Sequence, residues 1–122
     1  MINKRKQGGI FEEYAFEFYK NLGYDFMAKN YFTKYGEIDL IVYKESLIVF
    51  VEVKQRTSDI YGSGEYAIDY RKKRRIFLSA RDFIFKNKYY DYDIRFDAVI
   101  FKNSKKPCNW IKDIIWGDEF EL

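Results

Sequence analysis

Histidine is absent from the 122 residues. That excludes Ser-His-Asp hydrolysis, histidine-ligated zinc and every nuclease chemistry built on a histidine base. Cysteine occurs once, at Cys108, so no internal disulfide and no cysteine metal cluster is expected, and a reducing cytoplasm fits. Proline also occurs once, and no repeat or linker divides the chain. The longest apolar run ends at Glu52, far short of a membrane span. The basic start MINKRKQGG is not followed by an apolar segment of signal length, so no membrane partner is expected. A Gly-x-x-x-x-Gly-Lys phosphate loop is missing too. Any catalysis therefore falls to carboxylates, lysine, arginine or tyrosine.

What is present describes one soluble domain over residues 1–122. Hydrophobic residues make up 48% and charged residues 34%, which argues against disorder. A chain of this length buries about two-thirds of its unfolded surface in a single core. Twelve Tyr and twelve Phe must supply much of that core. The net charge of +3 proves no partner, but Arg71-Lys72-Lys73-Arg74-Arg75 places five cations in a row.

Gly36 to Arg56, GEIDLIVYKESLIVFVEVKQR, organises the rest. Glu37, Asp39, Ile41 and Tyr43 alternate with Ile38, Leu40 and Val42, and Ile48, Phe50, Glu52 and Lys54 share one side of the second run. Both runs are rich in Val, Ile and Phe, and Lys44-Glu45-Ser46 breaks them, so a β-hairpin is predicted. A turn centred on Glu45-Ser46 sets Tyr43 opposite Ile48 and Asp39 opposite Glu52, roughly 5 Å apart at Cβ. The turn lacks Gly or Asn, which leaves a slip by two open. Facing carboxylates repel unless a cation or a shared proton joins them. Lys54 supplies one charge, and a divalent metal on Asp39 and Glu52 is the stronger solution, since hard oxygen ligands suit Mg²⁺. An ordinary solvated strand face with a Glu–Lys pair is the alternative.

Around the hairpin, Gly9 to Leu22 reads as a first helix stopped by Gly23, with Phe11, Ala15, Phe18 and Leu22 as its stripe and Tyr19 and Phe16 on its flank. Glu12 projects onto this apolar side. Either it sits in the first turn, where the dipole favours an acid, or it reaches a site on the sheet. Tyr24 to Tyr31 is predicted as a strand, Thr33 to Gly36 as a turn, and Thr57 to Gly64 as a loop. Asp69 caps a second helix to about Asn87, burying Ile76, Ala80, Phe83 and Ile84. Its basic first turns oppose the dipole, which points to anionic partners or to a merely solvated end. Asp93 to Phe101 is a strand, Asn103 to Asn109 a turn, Trp110 to Trp116 a strand or irregular extension, and Gly117 to Leu122 an acidic tail. The order is α-β-β-β-α-β with a weak final β.

That order, with Glu12, Asp39 and Glu52-x-Lys54, resembles the restriction-endonuclease-like PD-(D/E)xK nucleases. More closely, the chain resembles the uncharacterised bacterial YraN family, itself similar to archaeal Holliday-junction resolvases. Glu12-x-x-Ala15, Leu22-Gly23-Tyr24, Asn30, Gly36-Glu37-Ile38-Asp39-Leu40-Ile41, Val49-Phe50-Val51-Glu52-Val53-Lys54-x-Arg56, Lys72 and Arg95-Phe96-Asp97 carry the likeness, from about Gly8 to Gly117. Phe11 stands where that family usually has glycine, which implies a tilted helix or a crowded Glu12.

The resemblance implies an α/β fold, an αβββαβ core with a mixed central sheet flanked by helices. It also implies a metal-dependent endonuclease for branched or junction DNA. Asp39, Glu52 and the backbone carbonyl of Val53 would hold Mg²⁺ or Mn²⁺, with Glu12 approaching from helix 1. Lys54 would orient or deprotonate water and stabilise charge on the phosphorane. Arg56 and Lys72 would contact phosphates, with Arg71, Lys73, Arg74 and Arg75 as weaker contacts, so action would follow DNA structure rather than sequence. Glu37 is assigned to backbone or Arg rather than metal. A resolvase needs two active sites, so a homodimer is in view. The rivals are a DNA-binding or repair-partner module that keeps the fold without cutting, and a purely structural domain.

Overall fold

A computed structural model describes residues 4–56 and 69–115, with side chains from residue 9 onwards. The loop expected at Thr57 to Gly64, the segment from Trp116 and the acidic tail lie outside the described residues. The elements run α1 (Lys4–Asn21), β1 (Asp25–Thr33), β2 (Gly36–Lys44), β3 (Leu47–Gln55), α2 (Tyr70–Asn87), β4 (Asp93–Phe101) and β5 (Asn109–Ile111). The expected αβββαβ core is present, and β5 is a three-residue strand.

One sheet of five strands takes them in chain order. β1–β2, β2–β3 and β4–β5 pair antiparallel, whereas β3–β4 pair parallel, with α2 as the crossover between them. On one face Ala15 and Tyr19 of α1 pack over Leu40, Val42, Val49, Val51, Val99 and Phe101. On the other, Ile76, Ala80, Phe83 and Ile84 of α2 pack over Ile41, Ile48, Phe50 and Phe96. Both faces being covered explains why β3 reads as a near-continuous apolar run. None of the described helices is long and apolar enough to cross a membrane.

The hairpin takes the expected register, Tyr43 opposite Ile48 and Leu40 opposite Val51, with no slip. Glu45 supplies the turn at φ 55°, left-handed backbone that Gly or Asn usually provides. α2 begins as predicted: the Asp69 carboxylate accepts from Lys72 N at 2.9 Å. α1 differs from expectation at both ends. It starts at Lys4, and it ends at Asn21, where Gly23 at φ 95° turns the chain and leaves Leu22 40% exposed. Its buried line is therefore Glu12, Ala15 and Tyr19, one helical face at i, i+3 and i+7.

Alternation in β2 also fails at one point. Ile38 packs with the α2-side cluster, while Leu40 and Val42 lie on the α1 side. The cause lies across the ladder: Asn30, between the pairs Lys29–Leu40 and Tyr31–Ile38, adopts φ 52°. That left-handed residue twists the strand pair at Asp39.

Beneath α1, Asp97 is fully buried and well satisfied. It accepts from Tyr19 Oη at 2.8 Å, from Arg95 Nε and Nη2 at 2.8 Å each, from Trp110 Nε1 at 3.1 Å and from Asp113 N at 3.1 Å. Burial first, then the Asp97 charge, pushes the Tyr19 hydroxyl far above its usual value, so it remains a donor. The fork on Asp97 raises the Arg95 guanidinium as well. Asp97→Ala should cost on the order of 3–5 kcal/mol, because it strands a half-buried guanidinium and several donors. Urea unfolding measures this, and a loss below about 1 kcal/mol would show that the network does not anchor α1 to β4.

Candidate functional site

The β2–β3 pairing runs only as far as Leu40–Val51, and the site occupies the place where the two strands part. Asp39 is the next residue of β2. Its Oδ2 accepts from Val53 N at 2.8 Å, so a carboxylate replaces a ladder bond and lies in the gap between the strands. A strand residue directs its N–H and C=O to the same edge, so the Val53 carbonyl faces this gap as well.

Glu12 enters from α1. It is only 5% exposed, and lying in the third turn of the helix it gains nothing from the N-terminal dipole. Carboxylate oxygens of Glu12, Glu37 and Asp39 all lie within 4.8 Å of one another. Burial chiefly raises the Glu12 carboxyl to about 7; a hydrogen bond with the Asn30 side chain opposes the rise, and the Glu37 charge adds to it. Asp39 is also held well above the carboxylate range, first by burial and then by the charge of Glu52, against the pull of the Val53 amide. Glu12 Oε2 is buried with no hydrogen-bond partner among the described residues. A native fold rarely leaves such an atom, so an unfilled role is the natural reading.

Glu52 is 8% exposed and faces α2, where Lys72 Nζ sits 2.6 Å from its Oε1. A cleft of about 280 Å³ opens here, lined by Gly36, Glu37, Glu52, Lys72, Arg75 and Ile76. Lys72 and Arg75 are three residues apart on α2 and so share its face. Gly36 forms the rim at φ 145°, a conformation that side chains other than glycine's rarely adopt.

The predicted residues are thus placed as follows. Glu12 and Asp39 meet, and Glu52 lies close enough for its charge to act on both. Glu37, assigned from sequence to backbone or Arg, also has a carboxylate oxygen within 4.8 Å of those of Glu12 and Asp39. The expectation that Asp39, Glu52 and Lys54 share one flat face gives way to a site between the two layers. Lys54 stands exposed near the end of β3, and Lys72 is the ammonium seated on Glu52. Arg56 is half-buried at the strand end, its backbone N bonded to Phe101 O at 2.7 Å. Of the basic run, Lys72 and Arg75 line the cleft, Arg71 and Arg74 are exposed, and Lys73 is half-buried. Phe11 does not crowd Glu12; its ring packs 5.7 Å from Tyr14 and 5.4 Å from Phe101. Asn30, quoted from sequence only as part of the family likeness and given no role there, hydrogen-bonds the Glu12 side chain.

Comparison with known proteins bears on these same residues. The model of the uncharacterised protein family UPF0102 matches residues 11–101, which span every element from α1 to β4. The chain belongs to UPF0102. A UPF0102 protein of Fusobacterium nucleatum is 39% identical over 118 residues, covering 97% of this chain and 98% of the relative. One from Sulfurihydrogenibium sp. is 40% identical over 104 residues, 85% of this chain and 90% of the relative. One from Vibrio parahaemolyticus is 34% identical over 116 residues, with 94% and 96% covered. The YraN-like likeness read from the sequence is this family. The names of its UPF0102 relatives carry no activity.

Proposed function

We propose that this UPF0102 chain is a metal-dependent DNA endonuclease that hydrolyses phosphodiester bonds in branched or junction DNA. One observation carries the reading: Glu12, Glu37 and Asp39 bring carboxylate oxygens within 4.8 Å, and one Glu12 oxygen is buried without a hydrogen-bond partner among the described residues. Hard oxygen donors so crowded suit Mg²⁺ or Mn²⁺, and the residues fit such an ion. Asp39, Glu12 and Glu37 would hold it, with Glu52 and the Val53 carbonyl at the rim. When bound it would polarise a phosphodiester oxygen and make water a stronger nucleophile.

The chain's own groups do the rest. The Val53 amide fixes Asp39 in place before any ion arrives. Lys72 and Arg75 hold phosphate oxygens over the cleft, and Lys54, exposed near the end of β3, orients water or steadies the charge that develops on phosphorus. Arg56 and the exposed Arg71 and Arg74 steer the duplex, with Lys73 behind them. Phosphate contacts carry no sequence information, so the preference would be for DNA shape, cut in pairs if the protein acts as a homodimer.

Four-way junction, flap, single-stranded and linear duplex DNA, each incubated with Mg²⁺ and with Mn²⁺, test this directly. Products from branched DNA that vanish in chelator are expected. Intact substrates throughout would remove the nuclease. Lys72→Ala should weaken DNA binding evenly across sequences and reduce the salt slope by about 1. An unchanged slope, measured by fluorescence anisotropy, would take Lys72 off the DNA.

The ion pair of Glu52 with Lys72 favours a second reading, a repair-partner module that binds DNA without cutting, since Glu52 then has its counter-ion already. It leaves the crowding of Glu12, Glu37 and Asp39 unexplained.

A further inference from the structure

The helix turn that carries Glu12 also walls a second opening, of about 330 Å³. Its lining is Phe11 and Tyr14 of α1, Gln55 at the end of β3, and the turn from Lys102 to Lys105. At 100° per residue Phe11 and Tyr14 lie about 60° apart on the helix and both point away from Glu12. Their rings meet edge to face at 5.7 Å, and Phe101 backs both, 5.4 Å from Phe11 and 6.3 Å from Tyr14. That wall is rigid. β3 and β4 run parallel and pair as far as Gln55–Phe101, so the opening lies beyond the carboxyl ends of parallel strands, where open α/β sheets take their ligands.

The chemistry of the lining narrows the ligand. Aromatic surface, two amides, two hydroxyls and two ammonium groups in a space of this size match a nucleobase joined to its phosphate. Position narrows it again. Gln55 is two strand residues past Val53, whose amide holds Asp39, a separation of about 7 Å. Stacked nucleotides repeat at about 3.4 Å along one strand, so this is the reach of one or two nucleotides.

We propose that this opening receives an unpaired DNA nucleotide, its base against Tyr14 and Phe11 and its phosphate against Lys102 and Lys105. The nucleotide belongs to the strand whose scissile phosphate lies at the acidic cluster. That assignment, with the reach of one or two nucleotides behind it, rests on the nuclease reading; the aromatic and basic lining does not. A partner with a single-stranded flank would then be held more tightly than blunt duplex.

The test is fluorescence anisotropy of the full chain with a labelled short oligothymidylate and with blunt duplex, in chelator so that nothing is cut. Tyr14→Ala should weaken oligothymidylate binding roughly tenfold and leave duplex binding unchanged, while Tyr14→Phe stays within about twofold of wild type. Lys105→Glu, on an exposed turn where folding is not at stake, should weaken the same binding and lower its salt slope by about 1. Unaltered oligothymidylate binding in both Tyr14→Ala and Lys105→Glu would overturn the site. Thymidine monophosphate competing as well as the oligonucleotide would overturn its assignment to a DNA strand. A protein that cuts nothing yet shows this Tyr14 dependence loses the nuclease and keeps the opening. One that cuts, with oligothymidylate binding indifferent to both substitutions, loses the opening and keeps the nuclease.

Discussion

Asp39→Asn is expected to lower metal-dependent cleavage of branched DNA on the order of 10³-fold or more, with DNA affinity unchanged or raised. The substitution is a clean one. Asparagine keeps an oxygen that accepts from the Val53 amide, so the gap between β2 and β3 retains its 2.8 Å hydrogen bond while losing the central negative charge. What changes is the electrostatic reason for a divalent ion to enter. Compared in chelator, where burial already holds Asp39 toward its neutral form, the variant presents no more negative charge to phosphate than wild type, so affinity does not fall. Single-turnover cleavage and anisotropy on the same preparation separate the two effects. Cutting at the wild-type rate would mean that Asp39 holds no ion.

The second large effect is on stability. Folding raises Glu12 from its ordinary 4.5 to about 7, chiefly through burial. Between those values the folded chain keeps a proton that the unfolded chain has released, so stability must fall as pH rises. In chelator the loss attributable to Glu12 should reach about 3 kcal/mol by pH near 8. Asp39 shifts in the same direction and adds to it. Glu12→Gln should remove the Glu12 share of that slope, keep the Asp39 share, and leave the protein more stable than wild type at pH near 8, but less able to cut. Mn²⁺ should restore wild-type stability at high pH and do little for the variant. Denaturant midpoints across this pH range decide the matter; parallel curves for wild type and Glu12→Gln would show that Glu12 ionises as it does in the unfolded chain.

Much of the scaffold was legible because it depends on local rules. Asp69 ahead of an amphipathic run predicts a capped helix, and the structure has it. Strict alternation on either side of Glu45-Ser46 predicts the hairpin register, even though the turn lacks glycine. The site was legible only in part, since its decisive features are non-local. Gly8-Gly9 hid the true start of α1, and with it the fact that Glu12 lies too deep in the helix for a dipole role. Asn30 is left-handed where β2 changes face at Asp39, and the residue types of the two strands do not announce that change. The pairing of Glu52 with Lys72 joins a strand to a helix twenty positions later, beyond any periodicity argument. Asp97 was quoted from sequence only within Arg95-Phe96-Asp97, and only the convergence of Tyr19, Arg95 and Trp110 shows what it does.

The contact between Lys72 and Glu52 has one more implication. A single ammonium cannot serve two anions at full strength. A backbone phosphate that draws Lys72 away uncovers Glu52, and an ion that claims Glu52 frees Lys72 for the phosphate. In the proposed nuclease, an ion on Glu52 and a phosphate on Lys72 would then strengthen each other by the same factor.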